Sequence, residues 1–354
     1  MKITLIGEPR IVMSNPDGKH KYFGWPTAAR LQNGKIAVVA SGFRLRHVCP
    51  FGKTVISYSE DDGNTFTYPA PVIDTPLDDR DGGIVAYGEK NVIVTSFNNT
   101  AEFQRNSTND PYCLAYIDTI TKEDEEKYLG ATYRISNDGG MIYGEIKRSP
   151  VSMPHGPIEM PDGNLLWVGR PFDRSGGDFI QSYLQTSDGE FHYLGGIENV
   201  AVNGVECVSC EPHSILLEDG SILTHIRVQR ATEWVFTIFQ SKSTDGGKTW
   251  SEPVQLLSDT GGSPPHLYRH SSGMLICSYS YRAEPFAVRI MFSKDEGETW
   301  DIDNDLYING ISADMGYPAT VELRDGSLLT VFYAKQNNDD EPAVIMGQKW
   351  RFEE

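Results

Sequence analysis

Ser243-Thr-Asp-Gly-Gly-Lys-Thr-Trp250 is an eight-residue stretch that this chain repeats. Ser59-Glu-Asp-Asp-Gly-Asn-Thr-Phe66 and Ser293-Lys-Asp-Glu-Gly-Glu-Thr-Trp300 obey the same rule: Ser, any, Asp, any, Gly, any, Thr, aromatic. These are the parts of a stapled β-turn. The Asp accepts hydrogen bonds from turn amides, the Gly takes a positive φ, and Ser and Thr tie the flanks. The aromatic residue anchors the turn on a sheet. Looser copies stand at Ser136-Asn-Asp-Gly-Gly-Met-Ile-Tyr143 and at Thr186-Ser-Asp-Gly189. Repetition of this kind marks an internally repeated β-protein.

A second repeated element sets the period. Residues 26–39 read as an alternating strand, an Asn33-Gly34 turn and an apolar strand. Asn-Gly or Asp-Gly between alternating hydrophobics is a strong hairpin signal. The same shape returns at residues 155–167, 211–223, 265–276 and 317–329, and in a weaker form at 80–94. The six hairpins are spaced by roughly fifty to sixty residues, with one longer interval, in the range of propeller blades. Each unit reads as strand, turn, strand, strand, Asp turn, strand. The last unit has about three strands before the chain ends, and Ile3-Thr-Leu-Ile6 is free to supply the fourth. The expectation is an all-β fold: a six-bladed β-propeller of four-stranded antiparallel blades, its ring closed by the N-terminal strand, with residues 1–354 as one domain. Little helix pattern is visible, apart from one short helical turn expected over residues 122–127.

Composition narrows the function. The formal net charge of −18 argues against nucleic acid as a partner. The N-terminal segment lacks the long apolar core of a secretory signal, and no apolar run reaches membrane-spanning length. Cysteines 49, 113, 207, 210 and 277 are odd in number and scattered, which suits reduced thiols and a cytoplasmic location. Cys207 and Cys210 form a lone pair without visible metal partners, so they read as ordinary thiols.

The six repeats with their Asp turns resemble the sialidase (neuraminidase) superfamily of six-bladed propellers, over nearly the whole chain. In that architecture the inner strands begin around a central pocket, so the hairpin starts carry the chemistry. The resemblance implies a glycoside hydrolase with a carbohydrate substrate and no cofactor or metal. Tyr317, in Gly-Tyr-Pro, sits where retaining sialidases keep a tyrosine nucleophile, and Glu211 matches its glutamate partner. A phenol near pKa 10 needs such a carboxylate to take its proton at neutral pH. Arg227 and Arg282 match two members of the carboxylate-binding arginine triad, able to hold an anion by bidentate hydrogen bonds. His155-Gly156 resembles the opening of the family's third blade.

The chain departs from the family at two points. Gly24, in Phe-Gly-Trp-Pro, stands where the first triad arginine belongs. The first-blade segment 44–52, which carries the family's acid/base aspartate, contains no acid. The wording Pro-Pro-His and Gly-Tyr-Pro-Ala-Thr is closer to divergent bacterial sialidase-like glycosidases. Position suggests replacements for the proton donor. One is Asp81, in the Asp78-Asp79-Arg80-Asp81 run that opens the second blade; the other is His47, in the overhanging loop. Arg80 joins the candidates for substrate contact. His155, His213 and His266 all stand at hairpin starts, where they would form a metal site or a set of donors to sugar hydroxyls; the second reading is preferred. Trp25 is either a sugar-stacking platform or inner-strand packing. Phe66, Trp250 and Trp300 are structural.

Three functional readings follow. The first is an exo-acting retaining hydrolase of an acidic sugar or oligosaccharide terminus. The second is histidine-based hydrolysis or elimination on a non-sialic substrate. The third is a glycan-binding propeller without catalysis.

Overall fold

The structure, a computed structural model, describes residues 1–172 and 179–353. Within them the strands assemble into six antiparallel blades arranged in chain order. The first blade contains Tyr22–Arg30, Ile36–Arg44, Lys53–Ser59 and Ala70–Ile73, from the axis outward. The second contains Arg80–Tyr87, Asn91–Phe97, Ala131–Ser136 and Lys147–Arg148. In the third, the inner strand is split into Val151–Ser152 and Ile158–Glu159, both paired with Leu165–Pro171. The fourth and fifth blades open with Val208–Leu216 and Pro265–Arg269, and the sixth with Gly316–Glu322.

The ring closes as the sequence implies. Lys2–Met13 pairs antiparallel with Val344–Glu353, placing Ile3 opposite Phe352 and Leu5 opposite Trp350. The first and last strands of the chain therefore share one blade, which leaves no open seam. The core lies between blades, in apolar clusters built from alternate residues of facing sheets. One such cluster joins Phe332 and Trp350 of the sixth blade to Ile290 and Phe292 of the fifth.

Each Asp turn has the expected wiring and also reaches the preceding blade. Asp245 accepts from the Ser243 hydroxyl at 2.9 Å, from the Thr249 amide at 2.9 Å and from the Thr249 hydroxyl at 2.6 Å. These bonds, the Thr249 hydroxyl foremost, hold its carboxyl down at about 2. The carbonyl of Gly247 accepts from Ser182 in the third blade, and Trp250 packs into the apolar cluster between the third and fourth blades. Trp300, in the fifth blade, donates from its indole to Gln240 of the fourth at 2.9 Å. The turns are thus staples between neighbours. Asp245→Ala removes the acceptor for three of these bonds, and we expect a lower Tm with an unchanged circular-dichroism spectrum. An unchanged Tm would show that the turn holds its shape without the carboxylate.

The sequence reading understates the helix content. Lys122–Tyr128 is helical as expected, capped by Thr121, but Ala101–Asn106 and Pro111–Ile117 are helical as well. Their starts rest on local capping: Thr100 accepts from the Phe103 amide and Asp110 from the Tyr112 amide, with Pro111 at the first helical position. All three helices fill the longer interval between the second and third strands of the second blade. The five cysteines are free and buried. Among the described residues no helix is long and apolar enough to cross a membrane.

Candidate active site

Four inner strands carry the same local distortion. In the first blade Gly24 pairs with Ser41 and Thr27 with Val39, so two residues face one across the ladder. The same shift falls between Arg80 and Gly83, between Cys210 and His213, and between Gly316 and Ala319. Each bulge holds a non-glycine residue at positive φ: Trp25 at 55°, Asp81 at 47°, Glu211 at 46° and Tyr317 at 48°. Such a conformation costs about 1–3 kcal/mol and persists only where the surroundings enforce it. A bulge re-aims a side chain. Here four of them gather their side chains at one end of the axis, where Trp25 lies 6.5 Å from Tyr317, ring centre to ring centre.

At the centre is Arg227, on the strand next to Glu211. Its Nη1 donates to Glu211 Oε2 at 2.5 Å and to the Tyr317 hydroxyl at 2.9 Å. Its Nε and Nη2 both donate to Gln229 Oε1, which fixes the guanidinium plane. Tyr317 is buried, and burial raises its phenol well above the ordinary value, aided by the nearby carboxylate of Glu211. Asp81 belongs to the same group. Burial pushes its carboxyl up to about 7, while Arg80 opposes and Glu211 adds to the rise. One of its oxygens, Oδ1, is buried without a hydrogen-bond partner. Arg282 stands beside Arg227, since both guanidinium groups lie against the Phe236 ring, at 4.9 and 5.3 Å. Its Nε also lacks a partner, and its Nη2 reaches only the Tyr333 hydroxyl, at 3.4 Å.

The corner around Gly24 is filled. A Cβ added to Gly24 would sit 3.3 Å from the Tyr22 ring and 3.7 Å from the Tyr333 ring. Both tyrosine hydroxyls donate to Asp314 Oδ1, at 2.8 and 3.3 Å. His47 joins the same oxygen through Nδ1 at 2.9 Å. The His47 side chain is 45% exposed, in contrast to the sealed Asp81. The loop that carries it is braced from two sides. Arg44 and Arg80 both donate to the His47 carbonyl, at 2.9 and 3.1 Å. From the helical excursion, Tyr112 stacks on Phe51 at 4.8 Å, and Arg46 donates to Thr108.

Several expectations change. Trp25 is only 2% exposed, with the Arg80 guanidinium 4.3 Å above its ring and the edge of His47 at 4.8 Å. No open face is left for a sugar, and packing is its role. Asp78 and Asp79 turn away from the axis, the first to Arg44 and the second to Thr75. Only Arg80 and Asp81 of that run reach the site. His155, His213 and His266 do converge, with ring centres 4.6–4.9 Å apart. However, Nδ1 of His213 accepts from the Leu267 amide and Nδ1 of His266 from the Thr320 amide, each in the next blade. His155 Nδ1 lies 3.0 Å from the Thr27 hydroxyl. Burial holds all three imidazoles well below their usual pKa. They stitch blades together and plug the axis; donation to a sugar is not what these contacts serve. Among the described residues no His, Cys, Asp or Glu group is arranged to hold a metal.

Sequence reasoning missed Asp314, Tyr22, Tyr333, Gln229 and Phe236. Tyr22 and Gln229 are each within three residues of a residue singled out from sequence, and that proximity was the available signal. Asp314 lies in a loop with no motif of its own.

Comparisons with known proteins agree with this architecture. The family model described as a BNR repeat-like domain matches residues 114–331, more than half of the chain. No curated protein matches it. Among solved structures, a protein of unknown function from Dyadobacter fermentans is similar at a TM-score of 0.77 and 18% identity, covering 99% of each chain. The NanB sialidase of Streptococcus pneumoniae is similar at 0.68 and 14%, covering 96% of this chain and 70% of that one. The intramolecular trans-sialidase of Ruminococcus gnavus gives 0.62 and 12%, covering 94% and 95%.

Proposed function

From the membership of this chain in the BNR repeat-like domain family, and its sialidase-like propeller, we propose that it is an exo-acting glycoside hydrolase, working with retention on an acidic sugar or an oligosaccharide terminus. The observation that carries this reading is Arg227, which bonds Glu211 and the Tyr317 hydroxyl at once, with both residues held at strained bulges. Tyr317 attacks the anomeric carbon and passes its proton to Glu211, while Arg227 offsets the charge that develops on the phenol oxygen. Arg282, with an unpartnered Nε, and Arg227 supply the anion clamp. Burial pushes the Asp81 carboxyl up to about 7, so below that pH it stands as a neutral neighbour of Glu211, its buried Oδ1 without a hydrogen-bond partner. The histidine plug supports exo action, because a polymer cannot thread an axis filled by three buried rings.

The test is covalent capture. A panel of aryl glycosides, sialosides included, identifies the preferred sugar. A 2,3-difluorinated or 2-fluorinated analogue of that sugar is then expected to accumulate as an adduct on Tyr317, read by peptide mass mapping. Nuclear magnetic resonance of the first-formed product is expected to report retention. Inversion, or an adduct on another residue, would sink the tyrosyl mechanism. Calorimetric binding of a glycan that is never turned over would instead favour a binding propeller.

A further inference from the structure

Resting on that glycosidase reading, we propose that His47 is the acid/base group for the leaving oxygen and that Asp314 is its positioning residue. Three observations place this pair here. First, His47 Nδ1 is held by Asp314 Oδ1 at 2.9 Å, which leaves Nε2 as the free working nitrogen. Second, Asp314 is itself held: Tyr22 and Tyr333 donate to the same oxygen, and Lys335 lies 3.8 Å from the other. Third, His47 abuts Trp25, which lies beside Tyr317, yet remains half in solvent. A leaving group must depart on the solvent side, where His47 stands and the sealed Asp81 does not.

The steps balance. In the first, the bond from the anomeric carbon to the leaving oxygen breaks as the bond to the Tyr317 oxygen forms. The leaving oxygen takes the Nε2 proton of His47, and the Tyr317 proton goes to Glu211. In the second, water attacks the anomeric carbon and gives a proton back to His47, while Tyr317 leaves and recovers its proton from Glu211.

The charged groups around His47 set the pH dependence. Burial lowers its pKa, Asp314 raises it, and Arg80 and Arg44 lower it, with a net shift downward from the ordinary imidazole. His47 must be protonated to act first, so the rate on substrates with poor leaving groups falls as pH rises and His47 loses its proton. Asp314→Asn removes the raising partner, so this limb moves to lower pH while KM changes little.

The experiment compares His47→Gln, Asp314→Asn and Tyr317→Phe on aryl glycosides spanning leaving-group pKa, with folding verified by circular dichroism. His47→Gln is expected to lose on the order of 10²–10⁴-fold on poor leaving groups and far less on activated ones, with azide restoring turnover as a glycosyl azide. Asp314→Asn is expected to show a smaller loss with the shifted limb. If Tyr317→Phe is inactive but His47→Gln loses equally on all leaving groups, or Asp314→Asn leaves the limb in place, the pairing is overturned and the glycosidase reading stands. If Tyr317→Phe is fully active, the tyrosyl reading itself fails.

Discussion

Tyr317→Phe is expected to lower kcat/KM by about 10³-fold or more, with KM and the fold nearly unchanged. The change deletes one oxygen. The ring stays packed against Trp25 and Tyr333, at 6.5 and 6.2 Å between ring centres. Arg227 keeps Glu211 and Gln229 as partners, so no buried charge is stranded. A loss confined to kcat is what removal of a nucleophile gives, because the groups that hold the sugar are untouched. The phenol sits well above its usual pKa, mainly through burial. The hydroxyl is therefore a poor nucleophile until Glu211 takes its proton during attack, which makes Glu211→Gln a companion variant with a loss of similar kind. Steady-state rates on the preferred aryl glycoside decide the matter; a Tyr317→Phe rate within tenfold of the parent would remove Tyr317 from the chemistry.

The fold was legible because its signals are local. An Asp turn needs eight residues, a hairpin about thirteen, and both were read from side-chain chemistry alone. Ring closure followed from counting strands in the last unit, and Lys2–Met13 does close it. The helices Ala101–Asn106 and Pro111–Ile117 escaped because six or seven residues hold too little periodicity, and their caps were the only trace. The site was half legible. Tyr317 and Glu211 were found at hairpin starts, and Arg227 through its match to a sialidase triad arginine at the end of the strand after Asp219-Gly220; the structure brings the three together. What the sequence did not reveal is direction. His213 and Glu211 are two residues apart on one strand, yet the bulge turns Glu211 to the pocket and leaves His213 bonded to the next blade. Asp314 was invisible for another reason: its partner Tyr22 is 292 residues away, and only ring closure makes them neighbours.

Arg44→Met is expected to cost about 3–5 kcal/mol of stability and to lower Tm by roughly 4–7 °C. The Arg44 and Asp78 side chains are both fully buried, joined by bonds of 2.5 and 3.0 Å from the two guanidinium nitrogens. With Arg44 gone, Asp78 keeps the Gln104 amide at 2.8 Å and, beyond hydrogen-bond reach, the Arg80 guanidinium at 3.6 Å, so a buried carboxylate loses its two direct charged bonds. The loop is built around this pair: a Cβ on Gly52 would fall 1.9 Å from Arg44 Nη1 and 2.2 Å from Asp78 Oδ1. Arg44 also donates to the carbonyls of Arg46 and His47, so the variant leaves Arg80 alone to hold the segment that carries His47. Activity on poor leaving groups should fall even at temperatures where the protein stays folded. The double variant Arg44→Met/Asp78→Leu separates the two effects. It removes both charges from the interior, so most of the stability returns, since a buried pair replaced by apolar groups is often neutral. Activity does not return, because the carbonyl contacts to the loop are still missing. Thermal denaturation and turnover of the three proteins test this. A single variant within 1 kcal/mol of the parent would show that the loop stands without its ion pair.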